Sequence, residues 1–159
     1  MPGQFVNSFH RHPAHSPPRD HANGPVIVHV TFSVYPRRDI LAAAAVHAAL
    51  VAAWRESTAW VVGYYMIMPD HVHLFCAPGY PVGFSVRRWG GRWKRLAGLK
   101  LKVLQRAFET DCWDTQMRSA DHFRRKAEYA QQNPVRRGLV TDWQQWPFQG
   151  TIAEIFWLT

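Results

Sequence analysis

The sequence predicts an α+β fold, the ferredoxin-like split βαβ arrangement, with an antiparallel sheet and helices on one face. Three observations predict it. Stretches of period-two and of helical spacing alternate in the order β-α-β-β-α-β, followed by a further helix. The second and third strands are joined only by Pro69-Asp70, a connection too short for anything but antiparallel pairing. The chain has 159 residues and 47% hydrophobic content, enough for the core of one domain, and no internal repeat.

Residues 1–24 hold Pro2, Pro13, Pro17, Pro18 and four histidines without hydrophobic periodicity, which predicts a disordered tail before a domain over 25–159. Val26 to Tyr35 is the first strand: Val26, Val28, Val30, Phe32 and Val34 share one face, and His29, Thr31 and Ser33 the other. Pro36-Arg37-Arg38 ends it. Asp39 is placed to cap a helix over Ile40 to Glu56, with His47 on the buried stripe as a core or edge histidine.

Trp60 to Met68 is the second strand, with Gly63 marking a bulge, and His71 to Ala77 the third. Phe84 to Leu96 is a basic helix weakened by Gly90-Gly91. Gly98 to Glu109 is either more helix or a basic connection that disorders without its ligand. Cys112 to Arg118 is the fourth strand. Ser119 caps a helix from Ala120 to about Gln132, and Pro134 to Gly138 forms a short turn of helix. The remainder packs down through Leu139, Trp143, Trp146, Phe148 and Phe156.

Composition narrows the function classes. No stretch is long and apolar enough to span a bilayer, and the N-terminus lacks the order of a signal peptide. Two cysteines, Cys76 and Cys112, are too few for a disulfide framework. A cytoplasmic protein with no membrane partner is the expectation. The net charge is +8, and the basic surplus lies almost wholly from Arg87 onward, which points to a polyanion such as nucleic acid.

One stretch carries candidate chemistry. In Met68-Pro69-Asp70-His71-Val72-His73-Leu74, the two histidines project from the same strand face while Val72 and Leu74 turn into the core. Two imidazoles so spaced can grip a divalent metal, but the spacing by itself is a weak signal, and two solvent-facing histidines are the commoner meaning of such a pair. Downstream, Tyr129 and Asn133 stand four apart on a helix. If that face packs near the strand, His71, His73 and the Asn133 amide oxygen can hold Mg²⁺ or Mn²⁺ with Tyr129 beside it. Taken singly, Tyr129 is also a half-buried aromatic and Asn133 a helix terminator.

His71-Val72-His73 in its Met-Pro-Asp context, followed by Tyr129-x-x-x-Asn133-Pro134-Val135-Arg136-x-Gly138-Leu139-Val140, resembles the REP-associated tyrosine transposases of the HUH superfamily of single-strand nucleases. The resemblance covers roughly residues 26 to 150, including the His29-Val30-Thr31-Phe32 strand and Trp113-Asp114. It implies metal binding by His71, His73 and Asn133. It implies that Tyr129 attacks a phosphate of hairpin-bearing single-stranded DNA, leaving a 5′-phosphotyrosine and a 3′-hydroxyl whose reversal rejoins strands. The candidate DNA-binding residues are Arg87, Arg88, Trp89, Arg92 and Lys94, with Trp93, and Arg136 beyond the tyrosine. Arg137 stands where relatives often have Ala and is expected to add charge without touching chemistry. A monomer or homodimer is compatible with all of this. A hairpin-binding module without catalysis and a metal hydrolase without a covalent step are the competing readings.

Overall fold

The computed structural model describes residues 25–157, so the N-terminal stretch expected to be a tail lies outside the described residues. Five strands, β1 (Val28–Ser33), β2 (Trp60–Ile67), β3 (His71–Pro78), β4 (Trp113–Gln116) and β5 (Gln149–Thr151), form one antiparallel sheet in the order β4-β1-β3-β2-β5. The first four strands and the helices between them have the expected split βαβ connectivity. β2 and β3 pair with a register shift between Val62 and Tyr65, where Gly63 sits, as the bulge reading anticipated.

Val28, Val30, Phe32, Val72, Leu74 and Cys76 form one apolar face, and α1 (Ala44–Glu56) and α2 (Val86–Lys100) close over it. Trp54, Trp89 and Trp93 fill this layer. The Trp93 ring stands edge-on to Phe32 at 4.9 Å, an arrangement favoured by the ring quadrupoles. His47 meets the Tyr65 hydroxyl at 2.7 Å, so it is a satisfied edge histidine. Both cysteines are free and buried here.

The other face is not bare, and this corrects the one-face expectation. α3 (Ala120–Gln131) lays Phe123, Ala127 and Ala130 on Ile27, Phe75 and Met117. β3 therefore buries apolar side chains on both sides, Phe75 toward α3 and Val72, Leu74 and Cys76 toward α1 and α2. Ser119 caps α3 by accepting from the His122 N–H, as expected. Only Gln132 separates α3 from α4 (Asn133–Arg136), and its αR backbone carries the helical path onward.

Five local readings change. α1 starts at Ala44 rather than Ile40, because the Leu41 N–H bonds the Pro69 carbonyl and draws that segment across the sheet end. Ala43, not Asp39, is its cap residue. α2 runs unbroken through Gly90-Gly91 from a Ser85 cap, and a short 3-10 turn over Lys102–Leu104 follows it. A Cβ at Gly90 would fall 2.5 Å from Phe32 Cε1, so the glycine permits close helix-to-strand contact there. β5 was not anticipated, and Leu139 and Phe156 are exposed, so the C-terminal segment packs through Trp146 and Phe148 instead.

Candidate nucleic-acid active site

The pleat sets the site. His71 and His73 leave β3 on the α3 side of the sheet while Val72 and Leu74 enter the core beneath α1 and α2. Cross-strand pairing aligns His73 with Thr31 and His71 with Ser33. α4 then brings Asn133 to the pair. The two Nε2 atoms stand 3.1 Å apart, and the Asn133 amide nitrogen lies 2.9 Å from His73 Nε2 and 3.2 Å from His71 Nε2. Three residues 62 positions apart at most in the chain thus meet at one point, a meeting that sequence spacing could only suppose.

Both imidazoles are held from behind. His71 Nδ1–H donates to the Asp70 carboxylate at 2.7 Å, which fixes its tautomer and leaves Nε2 with a lone pair. His73 Nδ1 has Thr31 Oγ1 at 3.2 Å and His29 Nε2 at 3.0 Å, both able to accept its proton. Burial lowers both pKa values. For His73 the charges of His29, His71, Arg136 and Lys126 add to burial and take it to about 2. For His71 burial outweighs the opposing pull of Asp70. Neutral imidazoles with free Nε2 lone pairs are the form that binds a cation.

Among the described residues, no group of three or more His, Cys, Asp or Glu is arranged for a metal. The third corner here is an amide. A half-turn of that amide puts Oδ1 where Nδ2 stands. Neighbouring ligands of an octahedral ion at about 2.1 Å stand about 3 Å apart, and the triangle has edges of 3.1, 3.2 and 2.9 Å. The donor set therefore fits a small octahedral cation, and two nitrogens favour Mn²⁺ over Mg²⁺.

Asp70, which the sequence reading treated as a turn residue, is a hub. Besides His71 it accepts from Arg37 at 2.9 Å and Arg137 at 3.2 Å. Burial would raise its carboxyl, but these three hydrogen bonds prevail and hold it at about 2. Arg137 leaves the end of α4, so the bond ties the helix carrying Asn133 to the strand carrying the histidines. The expectation that Arg137 would add only charge is corrected by this contact. The role of Asp70 was hidden because its partners come from the β1–α1 connection and from α4, far off in sequence.

Tyr129 is 61% exposed, one helical turn before Asn133, and the Arg136 guanidinium lies 3.6 Å from its ring centroid. Such a stack limits the ring's motion while the side chain stays largely open to solvent. Arg136 therefore belongs to the site.

The other residues expected on DNA do not. Arg87, Arg88 and Arg92 sit on α2, across the sheet from His71 and His73. They are solvent-exposed, and Arg88 and Arg92 join Arg95 and Phe84 along a groove of about 550 Å³. Trp89 is 1% exposed and donates Nε1–H to the Ser57 carbonyl, so it has no face to offer a base, and Trp93 is equally buried. Lys94 is half-buried, lies over Phe32 and donates to the Glu109 carbonyl. Their positions on the inner side of an amphipathic helix account for both corrections: the apolar layer needs them more than the surface does.

No helix among the described residues is long and apolar enough to cross a membrane. No family model matches the chain, and no curated protein does. A solved structure of a REP-associated tyrosine transposase bound to a REP hairpin is similar in fold, with a TM-score of 0.64 and 21% identity over 84% of this chain and 81% of that one.

Proposed function

We propose that this chain cleaves and rejoins single-stranded DNA bearing hairpins, with Tyr129 as nucleophile. The carrying observation is the triangle of His71, His73 and Asn133, each histidine held by a polar partner, one helical turn from an exposed tyrosine. His71, His73 and Asn133 would hold Mn²⁺ or Mg²⁺. When bound, the ion supplies Lewis-acid polarisation of a phosphate oxygen.

The chain's own residues do the rest. Asp70 and Thr31 keep the imidazoles turned so that both Nε2 atoms face the same point. Arg136 orients the Tyr129 ring. The Tyr129 hydroxyl oxygen attacks phosphorus, its proton passing to solvent, and the P–O3′ bond breaks. The phosphoryl group stays on tyrosine as a 5′-phosphotyrosine, and the departing 3′ oxygen takes up a proton. Attack by a 3′-hydroxyl reverses the step, because the phosphotyrosine ester conserves the energy of the cleaved bond. The similar structure's REP hairpin makes a hairpin-bearing strand the natural first substrate. The exposed arginines of α2 would contact DNA outside the cleaved segment, since the sheet separates them from Tyr129.

The test is an adduct assay. Labelled single-stranded DNA with a hairpin and unpaired flanks is incubated with Mn²⁺, and protein is resolved under denaturing conditions. Wild type should become labelled; Tyr129→Phe, His73→Ala and EDTA-treated protein should not. Adduct on Tyr129→Phe would remove the tyrosine from its role. Hairpin binding by wild type without adduct across substrates would favour the binding-module reading.

A further inference from the structure

The row of residues through His73 crosses all five strands. Register pairs Gln149 with Met66, Met66 with His73, His73 with Thr31, and Thr31 with Trp113. Paired residues on neighbouring strands share a face, so all five lie on the His71/His73 side.

The two ends of this row differ. Toward β2, Met66 is fully buried against Met68 and Trp146, which closes that side. Toward β4, the face is open: Trp113 is 51% exposed and its strand neighbour on the same face, Thr115, is also exposed. α3 covers the sheet near Ile27 and Phe75, at the far end of β1 and β3 from Ser33 and His71. A strand laid on the His71/His73/Asn133 triangle therefore leaves over Thr31 toward Trp113.

Charge favours that course. Lys126 is close enough to act on both His29 and His73, and Arg136 acts on His73. Asp114, the next acid on β4, belongs by alternation to the opposite face.

We propose that Trp113 is a stacking platform for an unpaired base next to the phosphate held at the triangle. It stands two strand spacings, about 10 Å, from His73, within reach of the neighbouring nucleotides. A partly exposed indole on a sheet, in the same cross-strand row as a histidine on which Lys126 and Arg136 act, has the chemistry that holds single-stranded bases without reading their sequence. This rests on the single-stranded DNA reading of the same site, but its readout is binding rather than cleavage.

The experiment measures fluorescence anisotropy of a labelled hairpin DNA with unpaired flanks, in EDTA so that no adduct forms. Trp113→Ala should bind about ten-fold more weakly or worse, and Trp113→Phe should recover most of the loss. An abasic residue is then moved through the unpaired positions. At the stacked position, wild type should fall to the affinity of Trp113→Ala, and the variant should lose nothing more. Equal binding by Trp113→Ala and wild type would overturn the platform even if adducts form on Tyr129. So would a Trp113→Ala loss that persists at every abasic position. Absence of DNA binding by wild type would overturn both readings. Circular dichroism separates any folding defect, and Trp113→Phe keeps the test decisive if the alanine variant is unstable.

Discussion

Asp70→Asn should weaken Mn²⁺ binding by about ten- to a hundred-fold while leaving the fold intact. Asp70 accepts three hydrogen bonds, and they are unequal. The Arg37 and Arg137 side chains are 58% and 40% exposed, so each of those ion pairs stabilises by about 0–1 kcal/mol. The His71 bond is shorter, at 2.7 Å, and both its partners are nearly buried. A hydrogen bond to a charged acceptor in such a place contributes about 1.5–3 kcal/mol. The asparagine side chain fills the same space but lacks the charge, and its amide can face His71 either way round. His71 is then free to rotate or to move its proton to Nε2, where it would block the lone pair. At about 1.4 kcal/mol per ten-fold, the loss translates to the stated range, which is also the usual cost of removing the group behind a metal-binding histidine. The assay is Mn²⁺ titration followed by electron paramagnetic resonance, without DNA, alongside a thermal melt. Mn²⁺ affinity within two-fold of wild type, at an unchanged melting temperature, would refute the claim that Asp70 positions His71.

Arg137→Ala should lower Mn²⁺ affinity less than Asp70→Asn, by about two- to five-fold for an exposed pair, and Arg137→Lys should restore part of it; the same titration reads both. Trp89→Ala should cost about 3–5 kcal/mol of stability in a urea melt, because its ring is core. In contrast, the Arg88→Glu/Arg92→Glu double variant should melt like wild type yet bind DNA more weakly, with a shallower dependence of log affinity on log salt. Gly90→Ala should destabilise by about 1–3 kcal/mol through overpacking, since its Cβ would overlap Phe32; calorimetry checks this, and an unchanged melting temperature would mean α2 can back away from β1.

Much of the fold was legible because its signals are local. Alternation in β1, the Pro69-Asp70 connection, the Ser119 cap and the Gly63 bulge each depend on neighbours within a few residues. The missed features depend on partners far away. Three residues, Gln149 to Thr151, become a strand only because the β2 edge is there to pair with them. Leu41 leaves the expected helix for the Pro69 carbonyl. Gly90-Gly91 was expected to weaken α2, but close packing on Phe32 outweighs the poor intrinsic propensity of glycine.

The second covering of the sheet explains both what the sequence hid and what the site can do. An α-helix with tryptophans and arginines at mixed spacing reads as a nucleic-acid surface, yet α2 had to supply the core under one face, and its tryptophans went there. That leaves the opposite face for α3 and α4, and α4 carries Asn133 down to the histidines. The same arrangement requires His29 and His73 to lie between sheet and helix, where burial keeps both neutral. A pair of histidines on an open sheet would protonate near pH 6.5 and repel a cation below it. Placed beside α4 and backed by Asp70 and Thr31, His71 and His73 keep their lone pairs directed at one point. The chemistry thus depends less on the His-x-His spacing than on the helix that closes over it, and the open edge at β4 is the side from which a strand can reach it.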